Sequence, residues 1–117
     1  MIDYRFLTSA EEEMTEAALF YEAASNRLGS EFLDDVQHAI DKLCRYPQVG
    51  EEFTPNLRRL LLHRFPFSLI YAVQHSAIVV VAVAHHGRRP GYWQSRIDLR
   101  TKRNTDEENN YFKKIAN

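Results

Sequence analysis

The chain has 117 residues, of which 44% are hydrophobic and 26% charged, a composition that excludes a disordered protein and fits one globular domain. The only cysteine, Cys44, excludes an intrachain disulfide, and no apolar run or signal-peptide pattern indicates export or a membrane span, so we expect a soluble cytoplasmic protein. The net charge of -1 conceals an acidic part, residues 1–56, with 4 basic and 12 acidic side chains, and a basic part, residues 57–103, with 9 basic side chains and one acid.

The first 46 residues predict a strand and a helical hairpin. Ile2, Tyr4 and Phe6 alternate with polar residues, which is typical of a strand with one buried face. Thr8 and Ser9 stand three residues before Glu11 and Glu12, a capping-box spacing that starts a helix, and the triple Glu11-Glu12-Glu13 is expected only to add favourable charge there.

The second helix of the hairpin is bounded by turn residues. Gly29 is expected to end the first helix and Ser30 to begin the next one, which Pro47 stops. The apolar stripe of this second helix consists of Phe32, Leu33, Val36, Ile40 and Leu43.

The middle of the chain predicts a loop and then three strands. Residues 47–56 contain two prolines and a glycine and are expected to form the loop. Leu57–Phe65, Phe67–Gln74 and Ala77–His85 follow with tight connections, which predicts an antiparallel meander. The fold class is therefore α+β, with one domain over residues 1–97 and a polar tail over residues 98–117. A short helix in that tail, from Asp106 to Ile115, would have only Tyr111, Phe112 and Ile115 as apolar anchors.

The third strand of the meander is apolar on both faces. Strict alternation places Ile78, Val80, Ala82 and Ala84 on one face, and Val79, Val81 and Val83 on the other. The helical hairpin covers only one face of a sheet, so the other needs a cover from the tail, a second copy or a partner.

The residues best suited to catalysis or to binding follow this apolar strand. His85 and His86 titrate near neutral pH, Arg88 and Arg89 suit phosphate oxygens, and Tyr92 and Trp93 are able to stack on bases. Histidine, arginine and an aromatic around one site would suit RNA cleavage by the 2′-hydroxyl. The alternative is that Tyr92 and Trp93 pack on the sheet while the arginines stay solvated.

Other charged positions give weaker signals. Arg58, Arg59 and Arg64 lie on the first meander strand, where they either join the loop's basic surface or protect an edge strand. A basic face indicates an anionic partner, either nucleic acid or an acidic protein surface. No HxH or HExxH spacing occurs, so we expect no metal and no cofactor.

These stretches resemble the RelE/ParE superfamily of toxins from type II toxin–antitoxin systems. The resemblance covers about residues 1–97 and rests on three stretches: Arg58-Arg59-Leu60, Phe65-Pro66-Phe67-Ser68-Leu69-Ile70-Tyr71, and His85 with Arg88-Arg89-Pro90-Gly91-Tyr92-Trp93. It implies a bacterial protein of a plasmid-stabilisation type of module that inhibits growth and is neutralised by a cognate antitoxin.

The superfamily has two branches that differ in target. RelE-like members cleave messenger RNA on the ribosome, whereas ParE-like members inhibit DNA gyrase without nuclease activity. The RelE-like pattern has a basic residue three positions before Tyr71, where this chain has Ser68, and a lysine-rich first strand, of which only Arg59 remains. The resemblance therefore favours the ParE-like branch. The alternatives are the nuclease and an inert relative that only pairs with its partner.

The candidate residues follow from this resemblance and from the loop. If the chain is a nuclease, its catalytic residues are His85, His86, Arg88, Arg89 and Tyr92. The expected target-binding residues are Arg58, Arg59, Arg64, Arg88, Arg89 and Trp93. We expect an antitoxin segment to bind the uncovered face of the third strand at Val79, Val81 and Val83. Two oligomeric states are expected as alternatives, a homodimer and a heterotetramer with the antitoxin.

Overall fold

The computed structural model describes residues 2–97, which form a five-stranded sheet with a helical hairpin on one face. The elements are β1 (Asp3–Phe6), α1 (Thr8–Ala24), α2 (Leu28–Arg45), β2 (Glu51–Thr54), β3 (Leu57–Leu61), β4 (Phe67–Gln74), β5 (Ala77–His85) and α3 (Gln94–Ile97). The α+β class is confirmed. The expected tail helix with Tyr111, Phe112 and Ile115 lies outside the described residues, so the division of the chain after residue 97 stays a prediction.

The sheet has the strand order β1-β5-β4-β3-β2. The three strands β3, β4 and β5 form the antiparallel meander that the sequence predicts. β1 joins the far edge of this meander, parallel to β5, with Asp3 opposite Ala77 and Phe6 opposite Val80. The connection between these two parallel strands is long, as parallel pairing requires, and runs through the helical hairpin and then β2, β3 and β4.

The prediction of a loop over residues 47–56 is wrong, because β2 forms there and pairs with β3. Glu51 lies opposite Arg59 and Glu52 opposite Arg58. The strand has only four residues, lies at the sheet edge and shows no apolar alternation, so its sequence gives little sign of it. Cross-strand pairs of opposite charge support it instead, with Arg59 Nη2 2.8 Å from Glu51 Oε1.

The expected caps of the helical hairpin are also wrong. Leu7, not Thr8 or Ser9, is the N-cap of α1 and makes no side-chain cap bond. Gly29 lies inside α2, where an added Cβ would stand 2.5 Å from the Ala18 carbonyl oxygen, so this glycine permits close packing of the two helices. α2 is capped from α1, because the Glu22 carboxylate accepts hydrogen bonds from the backbone N–H groups of Arg27 and Gly29, both at 3.0 Å.

A β-bulge in β5 exchanges the faces that simple alternation assigns. Ile70 pairs with Ala82 but Tyr71 pairs with Val80, so Val81 is the extra residue. Val79 therefore shares a face with Ala82 and Ala84, whereas Ile78 and Val80 share the other face with Val83. The grouping of Val79 with Val81 and Val83 is wrong for this reason.

The main core lies between the hairpin and the sheet face that carries Phe67. Phe32 of α2 is fully buried, with its ring centroid 5.0 Å from that of Phe67 and 5.3 Å from that of Phe65. Tyr21 of α1 joins this aromatic cluster at 4.8 Å from Phe65. Cys44 is buried in the same core, as expected of a small apolar side chain. No helix within residues 2–97 is long and apolar enough to cross a membrane.

The buried hydroxyl of Tyr71 ties β4 to the segment before β2. Tyr71 is fully buried, donates a hydrogen bond to the Pro47 carbonyl at 2.9 Å and accepts one from the Gly50 N–H at 2.9 Å. Gly50 is required beside it, since a Cβ there would lie 2.5 Å from the Tyr71 hydroxyl.

We expect Tyr71→Phe to lower the free energy of unfolding by about 1–3 kcal/mol, because it leaves the buried Gly50 N–H without an acceptor. Urea denaturation measures the change. Tyr46→Phe is the matched control, since Tyr46 is 63% exposed and its variant should stay within about 0.5 kcal/mol of wild type. Equal stability of both variants would contradict this account of the β2 anchor.

Candidate functional site

A cleft of about 470 Å³ lies where strands β3, β4 and β5 meet the segment that follows β5. We call it the strand-end cleft. It opens on the sheet face opposite the helices, since Ser68 and Ile70 line it while Phe67 contacts the helical aromatic rings. Its lining residues are Glu51, Arg59, Leu61, Ser68, Ile70, Ala84, His85, His86, Arg88, Pro90 and Trp93.

The turn between β3 and β4 is held by a buried carboxylate. Asp35 of α2, only 5% exposed, accepts hydrogen bonds from the backbone N–H groups of His63 at 3.3 Å, Arg64 at 2.8 Å and Phe65 at 3.2 Å. This contact sets where β4 begins and so places Ser68 in the cleft. The sequence reasoning missed Asp35. One feature of the sequence indicated its role: Asp35 lies within the apolar stripe of α2, where a buried charged residue needs hydrogen-bond partners.

A second carboxylate, Glu13 of α1, holds the segment after β5. Its Oε1 accepts hydrogen bonds from the Val83 N–H at 3.0 Å and from Arg96 at 3.1 Å, and its Oε2 from the Tyr92 hydroxyl at 2.7 Å and from Arg96 at 2.8 Å. The Glu13 and Arg96 side chains are only 14% and 16% exposed. The expectation that Glu13 merely adds charge at the helix start is therefore wrong, since it lies past the first turn and fixes the loop.

Tyr92 is anchored by this carboxylate and covered by Arg88. The Arg88 guanidinium lies 3.8 Å from the centre of the Tyr92 ring, a cation–π contact. Burial raises the pKa of Tyr92 well above its usual value, and the hydrogen bond to Glu13 raises it further. Tyr92 therefore keeps its proton and holds Arg88 in place at the mouth of the cleft.

The two histidines take different environments, as expected of neighbours at a strand end. The His85 ring packs edge-on against Phe67 at 5.0 Å, and its Nδ1 accepts the Gly87 N–H at 2.8 Å. His86 Nε2 lies 2.9 Å from the Ser68 hydroxyl, whose residue is 4% exposed. Ser68 and His86 thus form a hydrogen-bonded pair, with Arg59 and Arg88 lining the same cleft.

Trp93 is buried and not available for stacking on a base. It is 7% exposed, and its ring centroid lies 6.1 Å from that of Phe53 and 5.2 Å from that of Tyr92. The alternative in which this residue packs on the sheet is the one observed. The loop closes over the sheet and carries Trp93 inward, so the expected stacking on a base is wrong, and target binding by Trp93 stays a prediction without that support.

The structure does not bring all the predicted arginines together. Arg59, with Arg88, lines the strand-end cleft. Arg58 points elsewhere, bonding the Gly50 carbonyl at 2.7 Å and the Gln48 carbonyl at 3.1 Å, and Arg64 pairs with Glu31 of α2 at 3.0 Å. Arg89 is exposed beside Arg88. Arg58 and Arg64 therefore stabilise local structure away from the cleft.

The expected open face of β5 is absent. Val79, Val81 and Val83 are 0%, 0% and 2% exposed, and Ile78, Val80, Ala82 and Ala84 are also buried. The exposure on which the antitoxin-binding prediction rests is therefore wrong, and binding at these valines stays a prediction without that support. Among residues 2–97, no group of three or more His, Cys, Asp or Glu side chains is placed to hold a metal ion.

Comparison with known proteins supplies a family. The model of the ParE toxin of type II toxin–antitoxin systems, parDE, matches residues 4–90. No curated protein matches the chain. A solved structure described as the chromosomal ParDE TA system from P. aeruginosa is similar, with a TM-score of 0.53 and 20% identity over 73% of this chain and 96% of that one. The isolated E. coli RelE toxin aligns with a TM-score of 0.48 and 13% identity over 81% of this chain and 95% of that one.

The raised pKa of Tyr92 predicts a loss of stability at alkaline pH. Above about pH 10 the unfolded chain releases the tyrosine proton while the folded protein retains it, so the free energy of unfolding falls as pH rises. Tyr92→Phe removes this contribution, and we expect a shallower decline between about pH 9 and pH 11. Urea denaturation across this range measures the slope. Tyr46→Phe, at an exposed position, is the control, and a Tyr92→Phe slope equal to that of wild type would refute the assignment.

Proposed function

The chain belongs to the family of ParE toxins of type II toxin–antitoxin systems, and from this premise we propose that it arrests bacterial growth by inhibiting DNA gyrase. We further propose that a cognate antitoxin neutralises it. The single observation that carries the choice of target is that Tyr92, the aromatic group a nuclease reaction would use, is bound to Glu13 and keeps its proton.

The basic rim of the cleft is the proposed contact surface for the target. Arg88 and Arg89 are exposed on the loop after β5, and no carboxylate of residues 2–97 forms an ion pair with either. Uncompensated arginines on a rigid loop favour an anionic surface and guide its approach. The Tyr92 ring beneath Arg88 and the Glu13–Arg96 ion pair supply that rigidity.

The acid and base groups near the cleft are poorly placed for RNA cleavage, which favours a protein that acts by binding. Ser68 stands where the resemblance to RelE-like toxins would require a positive charge, and it is buried against His86. Tyr92 is able neither to take a proton, since it already holds one, nor to release it easily from beside a carboxylate. A nuclease reaction would therefore lack the cation expected at position 68, and the Tyr92 hydroxyl would not serve as its acid.

The second candidate is a ribosome-dependent messenger RNA endoribonuclease. The observation that favours it is the presence of His86, Arg59 and Arg88 in one cleft, which is a base with two cations. His85 and Arg89 would assist in that case. The residues available for this reaction are a subset of the predicted catalytic set, because Tyr92 is engaged elsewhere.

Expression of the chain without a partner should arrest bacterial growth. We expect the double variant Arg88→Ala with Arg89→Ala to relieve the arrest, because it removes the uncompensated charge of the rim while leaving the buried core untouched. Growth curves at matched, confirmed expression measure the effect. Lys42→Ala with Arg45→Ala is the control, since both residues are exposed in the last turn of α2. Undiminished growth with the wild-type chain would count against a toxin.

Purified wild-type protein should block gyrase supercoiling and leave ribosome-bound message intact. The missing cation at Ser68 would cost a nuclease roughly 3 kcal/mol of transition-state stabilisation, the loss seen when one charge-stabilising donor is removed. Gel assays of supercoiling and of messenger cleavage on the same preparation decide between the targets. Cleavage at the ribosomal A site that His86→Ala abolishes would reverse the proposal.

A further inference from the structure

Helix α1 presents two large apolar side chains to solvent beside two unpaired carboxylates. Phe20 is 69% exposed and Leu19 is 66% exposed, more than any other large hydrophobic residue within residues 2–97. Glu16 lies one helical turn before Phe20 and Glu12 one turn before that, so the three side chains follow one line along the helix, which we call the α1 stripe. Within residues 2–97 no ion pair includes Glu12 or Glu16. The α1 stripe is therefore an exposed surface with an apolar end and an acidic end.

The strand-end cleft has the complementary shape. It is concave, with a volume of about 470 Å³, whereas the Phe20 ring projects from a helix. Leu61 lines the cleft and is 57% exposed, so an apolar surface there is open to a partner. An aromatic ring gains much from burial in such a cleft, because its apolar area is large and its rotational freedom is small. The other apolar residues of the lining are Ile70, Ala84, Pro90 and Trp93.

The rim of the cleft carries the charge that the α1 stripe lacks. Arg59 pairs with Glu51 at 2.8 Å, so the net positive charge of the lining comes from Arg88, and Arg89 is exposed beside it. α1 contains five glutamates and no lysine or arginine, so two copies meeting through α1 alone would repel each other. Two carboxylates one helical turn apart match two neighbouring arginines in both charge and spacing. The surface of this chain that suits the α1 stripe is therefore the arginine rim.

The two complementary surfaces adjoin at one edge of the molecule. Glu16 and Phe20 line a second cavity, of about 340 Å³, together with His85 and Arg88. Arg88 also lines the strand-end cleft, so it stands between the two surfaces. In a pair of copies related by a twofold axis, each surface of one copy meets the other surface of its partner. Because the surfaces adjoin, both contacts are able to form at once.

We propose that two copies of this chain associate about a twofold axis, with the Phe20 ring of each copy in the strand-end cleft of the other. In this pair the carboxylates of Glu12 and Glu16 face the Arg88 and Arg89 side chains of the other copy. The contact covers the arginine rim, so the paired form withdraws the surface that is the proposed contact for the target. The proposal does not rest on gyrase inhibition, since association is measured on the purified chain without any target.

Sedimentation equilibrium of the purified full-length chain measures the association. The apparent mass should rise from that of one chain toward that of two between about 1 and 200 μM protein. Sodium chloride at about 0.5 M should weaken the association, because it screens the charge pairs at the rim. The mass of a single chain at every concentration would overturn the proposal, and it is also the result expected if residues 98–117 of the same chain cover the cleft.

One substitution in each surface tests the apolar part of the contact. Phe20→Glu and Leu61→Glu should each weaken the association at least about tenfold, because each places a charge in the apolar contact. Leu33→Glu is the matched control, since Leu33 is 42% exposed on α2 and should associate like wild type. All three positions are exposed, so the variants keep the buried core intact. Equal association of the three variants would refute the contact.

Charge reversal identifies which groups face each other. The variant Glu12→Lys with Glu16→Lys and the variant Arg88→Glu with Arg89→Glu should each associate more weakly than wild type. An equimolar mixture of the two variants should recover the association, because opposite charges then face each other in both contacts. A mixture that associates no better than either variant alone would overturn the assignment. If the arginine variant does not fold, the comparison of Phe20→Glu with Leu33→Glu still decides.

Discussion

The structure depends on how the free edge of β5 is satisfied. β1 pairs with β5 only from Ala77 to Val80, although β5 continues to His85. Beyond β1, side chains replace the missing strand: Glu13 accepts the Val83 N–H at 3.0 Å, and Arg96 donates to the Val81 carbonyl at 3.0 Å. Unpaired buried backbone groups would cost about 1–3 kcal/mol each, so the Glu13–Arg96 pair stabilises this edge of the sheet.

The same pair determines the shape of the proposed contact surface. Arg96 comes from α3, so its ion pair with Glu13 of α1 folds the segment after β5 back across the sheet end. Tyr92 joins the pair through its hydroxyl, Arg88 packs on the Tyr92 ring, and Trp93 is directed inward toward Phe53. The position of the basic rim thus follows from the need of the β5 backbone for hydrogen-bond partners. Glu13 of the acidic helix α1 supplies the carboxylate that holds the rim in place.

Local patterns in the sequence predicted the elements that depend on local rules. Periodicity gave β1, the two helices and the three meander strands, and the family resemblance is confirmed by the match over residues 4–90. The bulge at Val81 was not predictable, because a run of valines carries no mark of where alternation fails. The sequence wrongly predicted a helix end at Gly29. The real role of this glycine is to let α2 approach Ala18 of α1 closely, and such a contact between helices leaves no local pattern in the sequence. Glu13 and Asp35 accept hydrogen bonds from residues 70 and 28 positions further along the chain. Helix and strand periodicity does not predict contacts at such sequence separations.

The contacts that fix the loop also limit its chemistry. A tyrosine serves as an acid or base only if its hydroxyl is free to reach a substrate, and here the Tyr92 hydroxyl is bound to Glu13 at 2.7 Å. Releasing it would break the bond that helps to hold Arg88 in position. Use of Tyr92 in catalysis would therefore weaken the rigid display of the rim. The proposed action by binding is favoured by this arrangement, since a preorganised cationic surface loses less entropy when it meets its target.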